Sequence, residues 1–149
     1  HVNPVYRSEA DRNALLAGVN AGELAICSNH KPHELAAKMA PFAATESGIS
    51  VFDSFASVLF KLIQEDQLTM NAAIRAVTQL PAQMLNQNLG SLSVGSSANL
   101  TIINQHDEFA LNEADLISKG TNNPWINQSF NSRVQCTLFE GKTTFKREA

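Results

Sequence analysis

The sequence is short of the features that would place it at a glance. Its 149 residues hold two cysteines, Cys27 and Cys136, far apart in the chain. No disulfide framework is written into that spacing, and a reduced, cytoplasmic setting is the simpler expectation. Its apolar stretches break well before the roughly 20 residues that a membrane span needs. No cluster of Lys and Arg stands out, and 11 basic against 14 acidic residues leave a net charge of −3. That balance argues against a nucleic-acid partner. No signal peptide opens the sequence, and no internal repeat recurs. The triplets at Asn99 and Asn127 match the glycosylation pattern but carry little meaning without secretion. No methionine stands first. His1-Val2-Asn3-Pro4 reads like the middle of an extended segment, so the chain is expected to be a piece of something longer.

What is present describes a globular chain. Hydrophobic residues make up 44% and charged residues 17%, enough for one ordinary core and too apolar for disorder. Ser8 with Asp11 forms an incipient capping box, Leu15, Leu16 and Val19 give a helical stripe, and Gly22 is a plausible stop. Leu24 to Ser28 reads as a buried parallel strand. Residues 30–49, with Pro32, Pro41 and Gly48, read as a long functional loop. The run Val51, Phe52, Phe55, Val58, Leu59, Leu62, Ile63 has the strongest helical period. Thr69 is expected to cap a helix with the stripe Met70, Ile74, Val77, and Pro81 to open a short helix over 81–86. Near Asn88 the composition changes to Gly and Ser. Leu100 to Ile103 and Arg133 to Phe139 then read as strands, the second with Val134, Cys136 and Leu138 on one side. Glu140-Gly141-Lys142 turns into a last strand over 143–146.

The chemistry concentrates in Ile26-Cys27-Ser28-Asn29-His30-Lys31-Pro32-His33. An apolar strand ends in small and polar residues, then an amide, then two histidines. That is how a barrel strand empties into a site at its carboxyl end. Asn29 is the discordant residue, because an amide neither accepts a proton nor binds a metal well. Cys27, His30 and His33 have the spacing C-x2-H-x2-H, but no fourth ligand stands nearby as structural zinc requires. The preferred expectation is that Cys27 packs as a small hydrophobe and the histidines line a pocket or hydrogen-bond. Asn3-Pro4 with Arg7 is the residue set of a carboxylate site, yet a turn with a solvated Arg7 is the plainer expectation. Lys31 is expected to be a solvated loop lysine. Lys119 to Trp125 is expected to be a defined loop with its Trp as packing anchor.

Several stretches in order carry a resemblance. They are Val2-Asn3-Pro4 with Arg7 to Arg12, residues 26–33, Lys38 to Ile49 (KMAPFAATESGI), Gly90 to Ile103, Ser118 to Pro124, and Phe139 to Lys142. Together they resemble the C-terminal part of a dihydroorotase of the long bacterial type, within the amidohydrolase superfamily. The resemblance implies an α/β fold. Residues 1–87 are the last strands and helices of a (β/α)8 TIM-type barrel, and 88–149 are a small β-domain built from both chain ends. It implies hydrolysis and formation of the cyclic amide of dihydroorotate, with zinc and a bridging hydroxide. The metal-binding histidines and modified lysine of the family fall upstream, so no metal or cofactor is expected in this chain. Asn29 stands where the family has the Asp that binds metal and shuttles the proton. His33 and Asn3 match substrate-binding positions, and the loop around Ser47-Gly48 matches one whose backbone touches substrate. Asn99 and Ser132 depart from a usual Asp and Gly.

The 26–33 phrase and the APFAATESGIS loop look closest to a branch without catalytic machinery. Some gamma-proteobacteria pair such a protein with aspartate transcarbamoylase as a structural subunit. The leading expectation is therefore an inactive homologue that supports the transcarbamoylase. Its rival is an active zinc enzyme with ligands elsewhere on the chain, and the third possibility is a fragment without function. The chain is expected to self-associate or to need complementary barrel strands.

Overall fold

A computed structural model describes residues 1–148. Helix α1 (Glu9–Asn20) opens on the expected capping box: the Ser8 hydroxyl accepts from the Asp11 N–H at 3.2 Å, and the Asp11 carboxylate accepts from the Ser8 N–H at 3.1 Å. Helix α2 spans Phe52–Gln64, α3 Met70–Val77 and α4 Gln79–Met84. Thr69 caps α3 by accepting from the Ala72 N–H at 3.2 Å. Helix α4 starts two residues before the expected 81–86. Pro81 still lies in its first turn, where the missing N–H has no intrahelical partner to lose.

The strand expected at 24–28 is corrected. This segment is extended but carries no ladder. Its ties are an N–H from Ile26 to the Ala76 carbonyl at 2.9 Å and one parallel bridge farther on, His30 to Ile49. A parallel strand needs a partner strand to form a ladder, and among the described residues the bridge to Ile49 comes only at His30. The loop over 30–49 is as expected, broken by single 3-10 turns at Leu35–Lys38 and Phe42–Ala44.

The core joins α1, α2 and α3 through Val19, Leu59, Leu68, Ala73 and Ala76, with Ile26 packed against it. One helical stripe is largely turned from its expected face and another is only partly kept. In α3 the buried residues are Ala72, Ala73 and Ala76, while Met70 and Ile74 are exposed. Small side chains let the three helices approach closely, so the large ones are displaced outward. In α2 the expected stripe packs through Leu59, Leu62 and Ile63, while Phe52 is exposed and Ser54, Ser57 and Phe60 are buried beside it. The serines are buried because the C-terminal part supplies their partners. Ser57 donates to the Ser132 carbonyl at 2.8 Å, and Asn123 donates to the Ser54 hydroxyl at 3.2 Å.

All strands follow residue 99. Strands β1 (Leu100–Asn104), β4 (Arg133–Phe139) and β5 (Lys142–Lys146) form an antiparallel sheet in the order β1-β4-β5. Ile102 faces Cys136, with irregularities beside Ile102 and Thr137. Strands β2 (Phe109–Ala110) and β3 (Ser129–Phe130) pair separately. The alternation expected in β4 does not separate a buried from an exposed face: Arg133 to Leu138 are all half-buried. As the central strand, β4 is covered along both edges, but neither face of the sheet is fully covered. The β4–β5 turn places Glu140 and Gly141 at φ 49° and 79°, as a two-residue hairpin with matching twist requires. Between α4 and β1 the chain has no regular element. There Leu92 is 86% exposed, Val94 is wholly exposed, and a Cβ on Gly95 would meet nothing within 4 Å.

Candidate functional site

The loops after residue 28 gather the positions singled out in the sequence. Asn29 sits at φ 45°, a left-handed conformation that asparagine tolerates. Its Nδ2 donates to the Asn3 carbonyl at 3.1 Å. Two residues before Asn3, the His1 carbonyl accepts from the Gly48 N–H at 2.9 Å. The His33 ring places Nε2 3.0 Å from the Ser47 carbonyl, which requires Nε2 to carry the proton and donate. Asn3, Asn29, His33 and Gly48 therefore lie in one cluster, linked through the backbone of three segments. Asn3 and Asn29 are exposed, His33 is half-buried and Gly48 is buried.

Gly48 is required there on two counts. Its φ is 134°, and a Cβ would lie 2.6 Å from the Lys31 Cβ. Lys31 is exposed as expected, yet its stem crosses Gly48 and its Nζ reaches the Ser47 hydroxyl at 3.3 Å. It is part of the loop's packing rather than a purely solvated residue. Arg7 is exposed, in keeping with the turn expected there.

His30 points the other way from Asn29. Its Nδ1 accepts from the N–H groups of Val51 at 3.0 Å and Phe52 at 3.3 Å, and its ring stacks on Phe52 at 4.0 Å. Val51 has no side chain able to cap α2, so His30 does this from 21 residues away. Sequence reasoning missed this role, because a cap normally sits next to its helix. The expectation that the histidines hydrogen-bond is met. The packing expected of Cys27 is not, since it is exposed.

The donor set does not fit zinc. His30 uses Nδ1 on the backbone of α2, and His33 uses Nε2 on Ser47, so the two rings are committed to different elements. Among the described residues no group of three or more His, Cys, Asp or Glu converges.

A loop from the C-terminal part underlies the cluster. Asn122 Oδ1 accepts from the His33 N–H at 2.8 Å, and its Nδ2 donates to the Gly48 carbonyl at 3.1 Å and the Lys31 carbonyl at 3.3 Å. This residue was also missed. The available signal was Gly120, where a Cβ would lie 2.4 Å from the Pro32 Cβ: a small residue marks a close approach. Trp125 meets Phe130 edge-on at 6.2 Å, as the packing anchor expected. The two other departures noted in the sequence lie in packing. Asn99 Oδ1 accepts from the Glu140 N–H at 2.8 Å, and the buried Ser132 hydroxyl accepts from Gln64 at 3.0 Å.

A cavity of about 390 Å³ is lined in part by His30, Asp53, Asp115, Arg133 and Arg147. Its charges are largely used internally. Arg133 pairs with Asp115 at 3.0 Å and lies over the Phe109 ring, and Asp53 accepts from the Ile117 N–H at 2.8 Å. Burial, and then the neighbouring Arg133, lower the pKa of Arg147, against the pull of Asp115 and Asp107. The cavity takes His30 from the 28–33 segment, and none of Asn3, Asn29, His33 and Gly48 lines it.

Comparison with known proteins fits this geometry. Over 145 residues the chain is 38% identical to a dihydroorotase-like protein of Pseudomonas aeruginosa, covering 97% of this chain and 34% of that one. It is 33% identical over 150 residues to a dihydroorotase of Pediococcus pentosaceus, covering 99% and 35%. The chain thus spans about a third of the length of these curated relatives. Among solved structures, L-hydantoinase (dihydropyrimidinase) from Arthrobacter aurescens superposes with a TM-score of 0.88 at 17% identity, covering 99% of this chain and 34% of that one. D-hydantoinase (dihydropyrimidinase) from a Thermus species gives 0.86 at 17%, covering 97% and 33%. The α/β fold expected from the sequence is thereby shown. The profile of the amidohydrolase family matches residues 6–144, and the chain belongs to that family.

Proposed function

We propose that the parent protein is a dihydroorotase homologue of pyrimidine biosynthesis that no longer turns over substrate and serves as a structural partner of aspartate transcarbamoylase. The observation that carries this reading is Asn29. Its amide donates to the Asn3 carbonyl, a bond that an ionised carboxylate at this position cannot make. The residue is used to tie two segments together and has no proton to shuttle. Loss of a positioned proton-transfer group typically lowers rates by about 10²–10⁴. Asn3, His33 and the Gly48 backbone stay grouped, in keeping with a site whose shape outlasts its chemistry. The dihydroorotase-like protein of Pseudomonas aeruginosa supports the same branch.

A second reading is an active zinc dihydroorotase whose metal ligands lie on other parts of the parent. The similarity to the Pediococcus pentosaceus dihydroorotase favours it. The two separate on the full-length parent, assayed for cyclisation of carbamoyl aspartate and for co-purification with aspartate transcarbamoylase. A complex without turnover is the expected result. Turnover in wild type supports the second reading, and absence of any complex defeats the scaffold.

A further inference from the structure

The Asn122 carboxamide touches the cluster at three points from a loop that the fold holds still. Asp53 of α2 accepts from the Ile117 N–H at 2.8 Å. Asn123 donates to the buried Ser54 of the same helix at 3.2 Å, and its Oδ1 accepts from the Trp125 N–H at 2.9 Å. Gly120 lies against Pro32, where a Cβ would also come within 2.9 Å of the His33 nitrogen. From this base the acceptor end of Asn122 takes the His33 N–H, and the donor end takes the Gly48 and Lys31 carbonyls. The backbone carbonyl of Asn122 also accepts from the Ser50 N–H at 3.1 Å. One planar group joins the two ends of the 30–49 loop, which also meet through the Lys31–Ile49 pairing, the Ser47 contacts and the bonds of His30 to Val51 and Phe52.

We propose that Asn122 is the positioning residue of the cluster: its acceptor end fixes His33 and its donor end bridges Lys31 to Gly48, which together set where the Gly48 backbone lies relative to His33. This rests on treating Asn3, Asn29, His33 and Gly48 as one site, and is independent of whether that site turns anything over. The chemistry is specific to an amide. A carboxylate keeps the acceptor for His33 but sets negative charge against the Gly48 and Lys31 carbonyls. An isosteric leucine keeps neither.

Amide hydrogen exchange on the 149-residue chain tests it, read at the His33 N–H and at the Lys31 N–H, which donates to Ile49 between the two ends of the loop. In Asn122→Asp the His33 protection stays and the Lys31 protection falls about tenfold, the scale of one lost hydrogen bond. The His33 ring signal moves as its Ser47 contact loosens. Lowering the pH to protonate the new carboxyl restores a donor and recovers the Lys31 protection factor. In Asn122→Leu both amides lose protection. A purely structural role would lower both amides alike in Asn122→Asp, without acid rescue, and that result overturns the proposal. Unchanged protection in both variants overturns it too. If the variants do not fold, wild type decides: the Asn122 side-chain amide protons exchange well below the rate of those of exposed Asn71. Equal rates overturn the assignment. None of these readouts involves turnover or the transcarbamoylase, so their failure is distinct from failure of the proposed function.

Discussion

At the scale of single residues, the segment 28–33 works on two sides. Asn29 and His33 serve the cluster, while His30 caps α2. Asn29→Asp keeps the left-handed backbone but replaces a donor with a carboxylate facing the Asn3 carbonyl. It is expected to destabilise the chain by about 1 kcal/mol, the worth of an exposed hydrogen bond, read as a lower urea midpoint with unchanged slope. A stabilised variant would mean that the amide is not engaged as described. His30→Ala removes a cap worth about 1 kcal/mol and a stacked ring. His30→Gln, which keeps an acceptor, should recover part of the loss; equal losses would argue against capping. Gly48→Ala meets both a positive φ and the Lys31 stem, and should cost at least about 1 kcal/mol in the same measurement. Linear motifs single out Asn3, Asn29, His33 and Gly48, and the fold brings these four together. Such motifs do not single out the roles of His30 and Asn122, whose side-chain partners are 21 and at least 74 residues away and leave no local pattern.

At the scale of elements, the sequence located helices better than it oriented them. Periodicity reports which residues are apolar; α3 buries alanines in place of its large side chains, and α2 buries two serines along with Leu59 and Phe60. Ala73 and Ala76 are wholly buried, whereas Ile74 is 38% exposed. Ala73→Leu should therefore overpack the α1–α2–α3 junction and cost about 1–3 kcal/mol. Ile74→Ala should cost less, although it removes apolar surface where Ala73→Leu adds it. Thermal unfolding of the two variants checks the order, and the reverse order would restore the stripe Met70, Ile74, Val77 as the packed face. The buried serines of α2 could not be anticipated from the helix alone, because their partners Asn123 and Ser132 lie some 70 residues on. The segment at 24–28 shows the opposite case. Its apolar composition is that of a barrel strand, but a ladder needs neighbours, and composition does not supply them.

At the scale of the whole molecule, apolar surface is left open on both halves: Phe52 is 65% exposed and Leu92 86%. Each Å² of such surface left in water forgoes about 25 cal/mol. Patches of this kind promote association. Sedimentation velocity is expected to show concentration-dependent self-association of the 149-residue chain, and replacing Phe52 and Leu92 by polar residues should weaken it. A monomer at all concentrations would count against the open surfaces being sticky. The order of the fold, helices before residue 85 and strands after 99, follows the composition change seen near Asn88. What the sequence left unwritten is the traffic between the halves, which runs through side chains buried in pairs.

The bare turn at 93–96 gives the chain a handle. Val94 stands free and Gly95 faces open space, so a fluorophore on Val94→Cys would ride on the surface without disturbing the Asn29 cluster. The exposed Cys27, two residues from Asn29, would compete for the dye. Cys27→Ser must come first, or the label will land beside the very residues whose surroundings it was meant to report from a distance.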